Sequence, residues 1–177
     1  MKRILTILIL TMSVPTTFAN PGAQATDPIA PIRQHYAQIN SSAAKYKRVK
    51  KELSGFSAEG GELVAYFHGP SVMKMVATYF GESGKASEEY YFWDGKLIFV
   101  LRKDHRYNKP LSGKIISTKE DRFYFSNDKL IRWIDENAKE VASDKPEYAE
   151  KQKEYLESSK QLSDGARSKN PTIESDQ

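Results

Sequence analysis

Tyr90-Tyr91-Phe92-Trp93-Asp94-Gly95-Lys96-Leu97-Ile98-Phe99 recurs thirty-three positions later as Phe123-Tyr124-Phe125-Ser126-Asn127-Asp128-Lys129-Leu130-Ile131-Arg132. Each copy joins an aromatic strand to a second apolar strand through two residues that tolerate positive φ, Asp94-Gly95 and Asn127-Asp128. That is the sequence signature of a tight β-hairpin. A two-residue turn predicts Trp93 opposite Lys96, Phe92 opposite Leu97 and Tyr91 opposite Ile98. Successive side chains then alternate between faces. One face should carry Tyr90, Phe92, Leu97, Phe99 and Leu101, with Phe123, Phe125, Leu130 and Ile134 from the second copy. The other should carry Tyr91, Trp93, Lys96, Ile98 and Val100, with Arg122, Tyr124, Ser126, Lys129, Ile131 and Trp133.

Outward from the hairpins, strands are expected at 63–67 and 72–80, around the turn His68-Gly69-Pro70-Ser71, and a short one at 114–118. Short connections demand antiparallel neighbours in meander order, about six strands in all. Before them, Asp27 can cap a helix with Pro28 or Pro31 in its first turn. Ile32, Tyr36, Ile39, Ala43, Tyr46 and Leu53 continue its apolar stripe as far as the stop at Gly55. Lys45, Lys47, Arg48, Lys50 and Lys51 crowd the end of that helix, which suits the negative pole of its dipole. After the strands, Asp144-Lys145-Pro146-Glu147 opens a charged C-terminal helix. Its narrow seam of Tyr148, Tyr155, Leu156 and Leu162 predicts light docking. The expected fold is α+β: an antiparallel β-meander with a long N-terminal helix packed on it and a charged C-terminal helix.

The first nineteen residues read as a secretory signal: Lys2-Arg3, an apolar run from Ile4 to Met12, then small residues up to Ala19. The apolar run is about half of the ~20 residues a membrane span needs. Cleavage is expected after Ala19, with Ala25 as a second exit, and the mature chain should not be an integral membrane protein. Losing residues 1–19 removes two cations and lowers the formal net charge from +4 to +2, too little to imply a polyanion partner such as nucleic acid. Residues 20–162 then form one α+β domain, and the polar, aperiodic stretch 163–177 reads as a disordered tail. The chain has no cysteine, which excludes disulfides and thiolate chemistry.

No constellation announces catalysis, and no cofactor or metal is expected. His35, His68 and His105 lack helical metal-ligand spacing, and serine-nucleophile and phosphate-loop motifs are missing. Carboxylate pairs assembled by the fold leave little trace in sequence, so a hydrolase acting on cell-envelope material stays as the alternative.

The mixed face suggests a different role. Tyr91, Trp93, Tyr124 and Trp133 combine apolar area with polar tips, which suits an interface. Either the N-terminal helix covers them with its Ile32-Tyr36-Ile39 stripe, or they line a groove for a partner. The basic stretch 102–109, with Arg102, His105 and Arg106, should form an exposed loop facing an envelope protein, a glycan or an anionic surface. The expectation is an exported, periplasmic, non-enzymatic protein that binds an envelope partner or ligand.

Three segments resemble small secreted bacterial proteins of unassigned function: Ile32, Tyr36, Ile39 and Asn40; residues 89–99; and residues 123–133. Tyr-Phe-Trp-Asp-Gly-Lys is faintly similar to MORN-type repeats. The first resemblance spans about residues 30–135 and implies secretion and repeated hairpins, with no catalytic residue to carry over.

Overall fold

A computed structural model describes residues 27–175; the expected signal and both of its cleavage points lie outside the described residues. An N-terminal helix, α1 (Ala30–Ser42), and a short 3-10 turn precede seven strands: β1 (Lys47–Ser54), β2 (Gly61–His68), β3 (Ser71–Gly81), β4 (Gly84–Trp93), β5 (Lys96–Tyr107), β6 (Ile115–Ser126) and β7 (Lys129–Ile134). Helix α2 (Pro146–Arg167) and strand β8 (Thr172–Glu174) complete the order. The sheet has eight strands in the order β7-β6-β5-β4-β3-β2-β1-β8. All pairs are antiparallel except β1 with β8, which is parallel. The fold is therefore α+β on a mostly antiparallel sheet. It has two strands more than expected, and its N-terminal helix is shorter.

That helix stops at Ser42, and residues 47–54 are a strand. The apolar stripe was real only as far as Ile39. Beyond Tyr46 the buried positions are Lys51 and Leu53 with Val49 partly covered, a period of two, and pairing along β2 settles the matter. Ile29 is the N-cap of α1 and the helix has no side-chain capping bond, so Asp27 does not cap it; its carboxylate accepts from the Ile29 N–H at 3.1 Å just ahead of the helix.

Both hairpin turns form as expected, with positive φ at Asp94, Gly95, Asn127 and Asp128. Trp93 pairs with Lys96 and Phe92 with Leu97, but Tyr91 then pairs with Phe99 and Tyr90 with Val100. Ile98 is the extra residue of a β-bulge. The second copy repeats it: Phe125 pairs with Leu130 and Tyr124 with Arg132, leaving Ile131 extra. The expected faces are corrected past each bulge. Val100 and Trp133 belong with Tyr90, Phe92 and Phe123, whereas Phe99, Leu101 and Ile134 join Tyr91 and Tyr124.

Each face has its own helix. Ile29, Ile32 and Ile39 pack on the Tyr91, Phe99 and Tyr124 face. Helix α2 crosses the opposite face and returns the chain from β7 to the far edge, where β8 adds to β1. It docks firmly, contrary to the expectation of light docking. Tyr148, Tyr155, Ser159, Leu162 and Ala166 are buried at helical spacing, and each fully buried Leu-sized side chain is worth about 1.5–3 kcal/mol. Lys145 is the N-cap and makes no side-chain capping bond, so Asp144 does not cap the helix.

The expected disordered tail is also corrected, since 163–175 complete α2 and form β8. Lys51, itself buried, donates from Nζ to Ser168 O at 2.8 Å and also to Asn170 O. The Glu52 N–H donates to Pro171 O at 3.0 Å. Ile173 is buried so closely against α2 that a Cβ on Gly165 would stand 2.5 Å from Ile173 Cδ1. Ile173→Ala should therefore cost about 2–5 kcal/mol and lower the urea midpoint. A tail outside the fold would leave the midpoint unmoved.

Candidate functional site

The four aromatic residues expected to form a groove are divided by the sheet. Tyr91 is fully buried and Tyr124 nearly so, both beneath α1. Trp93, on the same face, is half-buried and stacks on His35 of α1 with ring centroids 3.8 Å apart. Trp133 is on the opposite face, packed on Phe123, and its Nε1 donates to Asp121 at 2.9 Å. These side chains line no common groove, because the bulge at Ile131 turns Trp133 away from the other three.

The polar groups gather around the central strand β4, where consecutive carboxylates face opposite ways. On the α2 face, Glu88 is buried; its Oε2 accepts from Tyr90 at 2.6 Å and Tyr79 at 3.2 Å, and its Oε1 accepts from Arg102 at 2.9 Å. Arg102 also donates through Nε and a terminal nitrogen to Asp104, both at 2.9 Å. Those bonds to Asp104 hold the Arg102 pKa above its ordinary value, against the opposing pull of burial. Burial, followed by the charge of Glu88, raises the Tyr79 and Tyr90 hydroxyls. Tyr155 O–H is buried beside this group without a hydrogen-bond partner among the described residues.

On the α1 face, Lys74 Nζ meets Glu89 Oε2 at 2.6 Å and donates to Tyr91 Oη at 2.8 Å and Asn40 Oδ1 at 3.1 Å. Tyr91 O–H lies 2.6 Å from the same Glu89 oxygen. Burial raises the Glu89 carboxyl, but bonds from Lys74 and Tyr91, with the charges of Lys74 and Lys103, outweigh it and leave the pKa below the ordinary 4.5. The oxygens of Glu88, Glu89 and Asp104 are thus engaged by cations and tyrosines of the chain itself. Such knots fix side chains; they do not present an open acid and base to a substrate. Among the described residues, no group of three His, Asp or Glu side chains is placed to hold a metal ion.

The basic residues fall differently from the expected loop. β5 runs on through Tyr107, so Arg102, His105 and Arg106 are strand residues. Arg102 is closed into the Glu88 knot. His105 Nδ1 lies 2.8 Å from Thr118 Oγ1, and burial plus the charges of Lys85 and Lys103 lower its pKa below 6.5. Arg106 is exposed and lines an open cleft of about 530 Å³ with Tyr79, Ala86, Asp104, Ser117 and Lys119. This cleft occupies the end of the sheet distal to the two repeated hairpins.

Sequence reading passed over the apolar residues at that same end. Four large apolar side chains stand exposed among the described residues: Phe80 at 36%, Leu111 at 71%, Ile115 at 42% and Ile116 at 56%. Phe80 is next to last in β3, Leu111 sits in the β5–β6 loop, and Ile115 and Ile116 begin β6. Pro110-Leu111-Ser112-Gly113 held the available signal, a leucine among turn formers where no core can receive it.

No protein-family profile, curated protein or solved structure matches the chain.

Because the folded Glu89 carboxyl is a stronger acid than its unfolded form, it contributes stability above about pH 4.5 that is lost as pH falls through the folded value. Glu89→Gln should cost roughly 3 kcal/mol at neutral pH, since it strands Lys74. It should also flatten the fall in stability between neutral and acid pH, measured by urea melts at a series of pH values. An unchanged slope would mean that Glu89 is not ionised in the folded protein.

Proposed function

We propose that the protein is an exported, periplasmic, non-enzymatic component of the cell envelope that binds its partner through the distal end of the sheet. The observation carrying this reading is the convergence at one end of Phe80, Leu111, Ile115 and Ile116 with Arg106 and its neighbouring cations. Exposed apolar groups gathered in one place mark an interaction surface more often than chance exposure does. Among the other described residues, the large apolar side chains are buried or partly buried, most of them beneath α1 or α2. The signal-like first nineteen residues and the resemblance to secreted proteins support export. No helix among the described residues is long and apolar enough to cross a membrane. Hydrolysis of envelope material is the lesser reading, since Glu88 and Asp104 both close on Arg102.

A photo-crosslinking amino acid placed at Leu111 in the native cell should give an envelope adduct, protein or lipid, identifiable by mass spectrometry. Placed at Lys153, an exposed position on α2, it should give far less. Equal adduct yield at the two sites would remove the distal end as the binding surface, and adducts with cytoplasmic components alone would refute export.

A further inference from the structure

We infer that the distal end docks on an anionic lipid surface, with Leu111, Ile115 and Ile116 entering the headgroup boundary and the surrounding cations meeting lipid phosphates. The inference rests on the reading above that this end is the binding end, and it names the partner.

The charge pattern fits. Lys85, Arg106, Lys109 and Lys114 belong to the strand ends and loops of this tip, and Glu82 is the single carboxylate among residues 80–86 and 105–114. None of the four cations is in an ion pair among the described residues, whereas Lys50, Lys74, Arg102, Lys103 and Lys119 all are. The His105 pKa is lowered by burial and by two neighbouring lysines. Unpaired Lys and Arg beside exposed aliphatic side chains match the two layers of a bilayer interface: anionic headgroups, then acyl chain.

The loop is built to present its leucine. Leu111 has φ of 53°, a left-handed conformation uncommon outside glycine and asparagine. Its N–H donates to Glu82 O in the β3–β4 turn at 2.8 Å, and the Asn108 N–H donates to Lys114 O at 3.0 Å. These bonds tie the loop to its neighbour and hold a mostly exposed leucine in place.

The shape of the tip fits a headgroup layer. Ile116 is the extra residue of a β-bulge, since Tyr107 pairs with Ile115 and Arg106 with Ser117. Leu111, Ile115 and Ile116 therefore project from a loop and an irregular strand start, a small apolar tip set among cations, as shallow entry into an anionic lipid surface requires.

The test is partitioning onto vesicles of phosphatidylcholine alone and of an equal mixture of phosphatidylcholine and phosphatidylglycerol. Wild type and variants carry the same N-terminus, so any lipid affinity of residues 1–26 is common to all. Wild type should bind the mixed vesicles, bind the neutral ones far more weakly, and be released by salt. Lys109→Glu with Lys114→Glu should lower partitioning onto mixed vesicles at least thirtyfold. Leu111→Asp with Ile116→Asp should lower it as far while leaving the urea midpoint unchanged. Leu111→Trp should show blue-shifted emission, quenched by brominated lipid. Equal binding to both vesicles, or undiminished binding by the charge and aspartate variants, would overturn the inference. If vesicle binding fails while the Leu111 crosslink to a protein persists in cells, the lipid assignment falls and the distal binding end stands. Loss of both would remove the binding end as well.

Discussion

Ile98 and Ile131 each stand as an extra residue opposite an unbroken neighbouring strand, and the placement of both helices depends on them. A one-residue change in register moves every later side chain to the other face. Without the first bulge, Phe99 and Leu101 would turn toward α2, and Val100 toward α1. Helix α1 would lose Phe99, which Tyr36 meets edge-on with centroids 5.5 Å apart. Without the second, Trp133 would leave Phe123 and Tyr148, and Asp121 would lose its indole donor. Because the isoleucine recurs at the same place in both copies, the repeat encodes a bent, bulged hairpin that sorts two cores.

The glutamate doublet of β4 makes that sorting specific. A buried carboxylate is tolerated only where cations and donors meet it, and Glu88 and Glu89 have different sets on their two faces. Glu88 has Tyr79, Tyr90 and Arg102, while Glu89 has Lys74 and Tyr91. Shifting β4 by one position would drive each carboxylate into the other's surroundings. Buried ion pairs add little net stability compared with well-packed apolar groups, yet breaking one is costly. Here their effect is to penalise the wrong register, with a tyrosine two residues along the same strand closing each set.

The hairpin turns, the antiparallel meander, the start of α1 and the apolar stripe of α2 were legible in the sequence, because each rests on local chemistry. Asp94-Gly95 needs nothing distant to form a turn. The bulges were illegible because Leu97 to Leu101 are all apolar, and a continuous apolar run fits either register equally. The strand at 47–54 was hidden by spacing: Tyr46, Val49 and Leu53 satisfy a helix as readily as Val49, Lys51 and Leu53 satisfy a strand. Only the β2 partner decides. The C-terminal segment looked disordered because its anchors are few and remote, namely Lys51 on Ser168 and Asn170 and the buried Ala166 and Ile173. Of the aromatic residues expected to line a groove, Tyr91 and Tyr124 are core. Arg106 and His105 lie on a strand where a loop was expected, because β5 continues through Tyr107.

A sheet packed by a helix on each face has only its edges and ends left for binding. At the β7 edge, residues 135–141 fold back, Ile134 bridges Glu140, and the Val141 N–H donates to Trp133 O at 2.9 Å. At the opposite edge, β8 is three residues long. Short or covered edges discourage strand addition. The hairpin end is closed by tight turns bearing Asp94, Lys96, Asp128 and Lys129, polar and of both signs. The distal end differs in that its loop holds Leu111 outward and its charge is of one sign, with Lys85, Arg106, Lys109 and Lys114 against Glu82 alone. Rigid presentation reduces the ordering entropy lost on binding. The construction that closes the middle of the molecule therefore also fixes where a partner can be met.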